Sequence, residues 1–165
     1  MATLTYQSCL PISSLQALER FAVQLAAFLK PGDLVALNGP LGAGKTTLTQ
    51  ALGRAMGIQE PISSPTFVLM NEYHSGDYPL IHLDLYRLGP QNTASLAEEL
   101  YALVDEGRSV VLVEWAEYGP FLDALITLSL SIQHVADPAL PESRFIEISS
   151  NRPLFEMTDD AGGLS

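Results

Sequence analysis

Eight residues, Gly39-Pro40-Leu41-Gly42-Ala43-Gly44-Lys45-Thr46, set the tightest limit on how this chain can fold. They match G-x-x-x-x-G-K-S/T, a pattern whose chemistry requires a strand before it and a helix after it. The glycines let backbone N–H groups turn inward and approach anionic oxygens closely. The helix that follows presents its positive N-terminus to the same anion. Both flanks meet the demand. Leu34 to Asn38 is a short apolar run suited to a buried strand, and a helical pattern runs from about Lys45 to Met56. Gly57 suits the left-handed position after that helix. The loop thus predicts a phosphate cradle made of Gly39, Leu41, Gly42, Ala43 and Gly44, with Thr47 beside it. Lys45 is expected to reach the β- and γ-phosphates, and the Thr46 hydroxyl to serve as a magnesium ligand.

The rest of the chain supplies the elements such a loop needs. Ser13 to Lys30 reads as an amphipathic helix, with Leu15, Leu18, Phe21, Ala22, Leu25 and Leu29 at helical spacing. Ser13 with Gln16 offers a capping box, and Pro31-Gly32 stops the helix. Phe67 to Tyr73 and Leu80 to Leu85 read as strands around a segment of turn composition, which suggests a hairpin. Leu96 to Val104 reads as a short helix, and Val110 to Val113 as a further buried strand. Leu125 to Ile132 and Arg144 to Ile148 read as later strands. Alternating helices and buried strands imply an α/β domain: a three-layer P-loop NTPase fold with a mixed, mainly parallel sheet. Residues 1–150 are expected to form one domain, and residues 151–165 a flexible tail.

Composition narrows the function. The chain has 165 residues, 19 acidic against 8 basic, and a net charge of −11. Such a surface repels nucleic-acid phosphates, so the chain alone is not expected to grip RNA or DNA. Lys30, followed by Pro31, and Lys45, inside the phosphate loop, are its lysines, and neither belongs to the Asn-Lys-x-Asp segment by which small GTPases read guanine. ATP is the better assignment. The six arginines (Arg20, Arg54, Arg87, Arg108, Arg144 and Arg152) do not cluster into the lid of a small-molecule kinase. Cys9 stands alone, which excludes an internal disulfide and fits a reducing compartment. With His74, His82 and His134 it shows no zinc spacing. No signal peptide and no bilayer-spanning run is visible, so a cytoplasmic location with no membrane contact is expected.

Three further segments carry candidate chemistry. Thr66, in Ser64-Pro65-Thr66-Phe67, stands where a hydroxyl can sense a γ-phosphate. Asp84 ends the strand-like His82-Leu83-Asp84-Leu85-Tyr86-Arg87. Glu114 leaves the apolar run Val110 to Val113 and precedes Trp115. Ligands of open α/β sheets collect at the carboxyl ends of parallel strands, where an emerging carboxylate can hold magnesium. Glu114 is therefore a candidate metal ligand with Thr46, and Trp115 a candidate nucleotide or partner contact. Arg87 and His82 are weaker candidates, against a solvated salt bridge and a satisfied core histidine.

Together these strings resemble the TsaE family. They are Gly-Pro-Leu-Gly-Ala-Gly-Lys-Thr-Thr-Leu at 39–48, Ser-Pro-Thr-Phe at 64–67, His-Leu-Asp-Leu-Tyr-Arg-Leu at 82–88 and Val-Glu-Trp at 113–115. The resemblance spans roughly residues 13 to 135; Ala116 departs from it, standing where a proline is common, and the tail from about Asn151 matches nothing. It implies a slow ATPase that supports or regulates threonylcarbamoyl transfer to adenosine in tRNA. The transfer itself would belong to TsaD, paired with TsaB. Lys45, Thr46, Thr66, Asp84 and Glu114 carry over as the site for ATP and Mg2+, with Asp84 and Glu114 both open as the group that orients water. A small-molecule phosphotransferase and a non-hydrolytic nucleotide module are the alternatives.

Overall fold

The computed structural model describes residues 4–65, 67–135 and 143–154. Its strands are β1 (Tyr6–Ile12), β2 (Leu34–Asn38), β3 (Met70–Tyr73), β4 (Leu80–Asp84), β5 (Val110–Glu114), β6 (Leu128–His134) and β7 (Arg144–Ser150). The α-helices are α1 (Leu15–Phe28), α2 (Lys45–Ala55) and α3 (Ala97–Glu106). All seven strands join one sheet in the order β1-β7-β6-β2-β5-β4-β3. The central strands β6, β2, β5 and β4 run parallel, while β3, β7 and β1 add antiparallel flanks.

The two-residue period of a strand assigns each side chain to a face. In β2, Val35 and Leu37 face α1 and α2, where they meet Phe21, Leu25, Leu48 and Leu52. Leu34 and Ala36 point the other way, into a cluster with Ile81, Val111, Leu100 and Leu122. Two cores on one sheet make three layers. The same alternation puts His82 and Asp84 of β4, and Leu112 and Glu114 of β5, on the α2 face. Each large apolar side chain buried there contributes about 1.5–3 kcal/mol.

Several boundaries differ from the sequence expectation for local reasons. The cap of α1 is Ser14, not Ser13: its Oγ accepts from the Ala17 N–H at 3.1 Å. Strand β3 starts at Met70 rather than Phe67, because the N–H groups of Val68 and Leu69 both donate to the Pro65 carbonyl and close a turn. Leu69 sits at φ +71°, outside strand geometry. Strand β6 starts at Leu128, since Leu125 and Ile126 are tied to the Leu122 carbonyl. Helix α3 is preceded by a 3-10 turn at Ala94–Leu96 and runs on to Glu106. Strand β1 lies outside the elements that the sequence pattern predicts.

The expected tail falls largely on residues 155–165, outside the described residues. Just before them, Arg152 is pinned. Its guanidinium donates to both carboxylate oxygens of buried Asp33, at 2.7 and 2.6 Å, and to the Phe28 carbonyl at 2.9 Å. It also lies 4.2 Å from the Phe28 ring centroid.

Candidate functional site

The loop of residues 39–44 leaves β2 at the carboxyl end of the parallel strands and enters α2. Gly39 holds φ +138°, and a Cβ there would stand 2.3 Å from the Ile132 carbonyl oxygen, so the loop can pass β6 only as glycine. Gly44, the N-cap of α2, sits at φ +106°. The opening N–H groups of α2 therefore face the loop without a capping side chain, which leaves them for an anion.

Lys45 folds back across this loop. Its Nζ donates to the carbonyls of Gly39 (2.6 Å) and Pro40 (3.0 Å). The ammonium lies 3.8 Å from the Trp115 ring centroid. Trp115 occupies the left-handed region at φ +58°, with Tyr86 and Tyr118 rings at 4.9 and 5.5 Å. Burial pushes the Lys45 pKa below its usual value, and the nearby charges of Glu114, Glu117 and Asp84 oppose that shift.

Two buried carboxylates face the lysine from adjacent strand ends, since Asp84 and Glu114 are register partners. The Thr46 hydroxyl lies 3.1 and 3.2 Å from the two Glu114 oxygens. Glu114 Oε1 also meets His82 Nε2 at 2.9 Å and Thr49 Oγ1 at 3.5 Å. Asp84 accepts from Ser64 Oγ at 2.7 Å and from the Tyr86 N–H at 3.0 Å.

A cavity of about 370 Å³ opens between these groups. Around it the fold gathers Leu41, Gly42, Ala43, Gly44, Lys45, Thr46 and Thr47 with Asp84, Glu114 and Trp115. Gly39 borders a neighbouring hollow that shares Trp115 with this cavity. Thr66 lies outside the described residues. Arg87 stacks 4.6 Å from the ring centroid of exposed Phe67, away from that cavity lining. Ser64 and Tyr86 line the cavity without having been singled out. Both belong to strings already noted, and Tyr86 follows Asp84 by the two residues a carboxylate needs to accept a local backbone N–H.

The donor set suits Mg2+. It offers a hydroxyl and carboxylate oxygens, and among the described residues no group of three or more His, Cys, Asp or Glu forms a cage. Mg2+ typically takes one or two carboxylates and fills its remaining positions with water and substrate phosphate.

Residues 12–141 match the family described as Threonylcarbamoyl adenosine biosynthesis protein TsaE, which covers every segment just described. The chain belongs to the TsaE family. A TsaE protein of Nostoc sp. is 49% identical over 100 residues, 60% of this chain and 62% of the relative. One of Synechocystis sp. is 44% identical over 67% of this chain and 71% of its own length. The matched stretch thus spans less than two thirds of the Nostoc TsaE. The crystal structure of Bacillus subtilis YdiB superposes with a TM-score of 0.68 at 30% identity, covering 89% of this chain and 87% of that one. The TsaE resemblance seen in four short strings therefore extends through an α/β P-loop fold. No described helix is long and apolar enough to cross a membrane.

Proposed function

We propose that this chain binds ATP with Mg2+, hydrolyses it slowly, and thereby supports or regulates threonylcarbamoyl transfer to adenosine in tRNA beside TsaD and TsaB homologues in the cytoplasm. The observation that carries the reading is the convergence of Lys45, the α2 N-terminus and the Thr46–Glu114 pair on one cavity. Each part suits a different piece of the substrate. The loop amides and Lys45 match the negative oxygens of the β- and γ-phosphates. Thr46 and Glu114 match a hard cation, and bound Mg2+ supplies positive charge to the phosphate oxygens. Trp115, with its flanking tyrosines, screens the lysine from water and strengthens its field.

Hydrolysis joins a water oxygen to the γ-phosphorus as the bond to the bridging oxygen breaks, releasing ADP and phosphate. Little covalent work falls to the protein, so positioning and charge carry the rate. Glu114 sits against Thr46 and serves the metal side. Asp84, held by Ser64 and the Tyr86 N–H, is the carboxylate left to orient water. Thr66 is assigned to sensing the γ-phosphate. The −11 charge leaves the tRNA to the partners. The test is ATP binding by Lys45→Ala. Strong loss of affinity in folded protein is expected, and parental affinity overturns the reading.

A further inference from the structure

His82 is a costly residue where it stands. It is fully buried in β4, between Ile81 and Leu83 and two residues from Leu80, all apolar. Its Nδ1 has no hydrogen-bond partner among the described residues, so the ring carries a polar atom into the core without compensation. A leucine there would fill similar space without that penalty. Among the described residues, the ring's one polar contact is Nε2 to Glu114 Oε1, at 2.9 Å. A carboxylate oxygen accepts, so the ring donates a hydrogen from Nε2 to Glu114.

That contact divides the two oxygens of Glu114. Oε1 is surrounded by His82 Nε2, Thr46 Oγ1 and Thr49 Oγ1, at 2.9, 3.1 and 3.5 Å. Among the described residues, Oε2 meets only the Thr46 hydroxyl, at 3.2 Å. We infer that His82 is a positioning residue, which anchors Glu114 through Oε1 and leaves Oε2 turned to the magnesium and phosphate side of the cavity. The inference rests on the Mg2+–ATP reading of this site. It explains how a carboxylate at the end of a strand keeps one orientation before any ligand arrives. Partners behind a ligating carboxylate set its geometry, and losing one typically weakens metal binding about 10–100-fold.

The test compares His82→Leu, which removes the donor, with His82→Gln, whose amide nitrogen can reach near the Nε2 position. ATP binding is titrated with Mg2+, and ADP binding is measured in EDTA. Melting temperature is recorded for each protein. His82→Leu is expected to need at least about tenfold more Mg2+ to reach the same ATP affinity. Its ADP affinity in EDTA should stay within about twofold, and His82→Gln should recover most of the Mg2+ response. A purely structural His82 would instead lower the melting temperature and leave the Mg2+ requirement of folded protein unchanged, which overturns the inference. Nitrogen NMR of the wild-type ring adds a readout independent of any variant. A proton-bearing Nε2 and a bare Nδ1 support the inference, and the reverse tautomer overturns it. Should His82→Leu not fold, His82→Gln and the ring spectrum decide. A wild-type protein that binds ATP without regard to Mg2+ removes the reading and the inference together, whereas a wild-type Mg2+ response left intact in both variants removes the inference alone.

Discussion

The ammonium of Lys45 lies 3.8 Å from the centroid of Trp115, the one tryptophan in the chain. A cation over an indole face perturbs it electrostatically, so the ring reports where the lysine is. ATP is expected to draw Lys45 away from the Gly39 and Pro40 carbonyls and change the intrinsic fluorescence saturably. Lys45→Ala should alter the unliganded spectrum and abolish the nucleotide response. A titration of both proteins checks this, and an unresponsive wild-type tryptophan counts against the geometry.

Glu114→Gln keeps the shape of the side chain and removes its charge. The loop amides and Lys45 still grip the β-phosphate, so ADP affinity should change little. Turnover should fall at least about tenfold, equivalent to ~1.4 kcal/mol of barrier. Melting temperature, ADP affinity and turnover measured on one preparation separate this from a purely structural Glu114. Unchanged turnover in folded protein would shift the whole catalytic burden to Asp84.

Arg152→Ala should destabilise the fold without touching the site. Asp33 is buried and loses the bidentate partner that neutralises it, keeping, among the described residues, the Lys30 N–H at 2.9 Å. Removing one member of such a pair costs about 3 kcal/mol. The melting temperature should drop by roughly 10 °C. Asp33 precedes β2 whereas the phosphate loop follows it, so ATP affinity per folded molecule should hold. An unchanged melting temperature would contradict the anchoring role.

The parts of this fold that the sequence displayed are those where one local rule dominates. A glycine-rich loop between an apolar run and a helical pattern has few structural solutions, so β2, the loop and α2 were legible together. Val110 to Val113 was legible because four consecutive apolar residues suit a strand buried on both faces. Strand β1 was not, since most of its side chains are exposed and it lies at the sheet edge beside β7 alone, with Pro11 inside it. Its pairing is a tertiary fact with weak local trace. Arg152 read as the start of a tail because its partner, Asp33, lies far away in sequence.

The site divides the same way. Lys45, Thr46, Asp84 and Glu114 stood out because each ends or opens an element at a place where chemistry is expected. Ser64 and Thr49 did not, because a hydroxyl in a loop or inside a helix gives no signal until its acceptor is known. The apolar neighbours of His82 in sequence suggest a core histidine, and the side chain is buried. Its contact with Glu114 required the register of β4 against β5, which no local pattern encodes.

The acidic surface yields a prediction of its own. The chain alone should bind tRNA poorly at physiological salt, because a net charge of −11 opposes phosphate neutralisation. A gel shift without partners checks it, and submicromolar affinity would contradict it.

ATP turnover by the purified chain, with and without a TsaB–TsaD pair, tests the central claim most directly. The account predicts slow release of phosphate by the chain alone, a clear rise when the pair is added, and loss of both with Lys45→Ala. Phosphate release that is absent in every mixture, or that persists unchanged in Lys45→Ala, would contradict it.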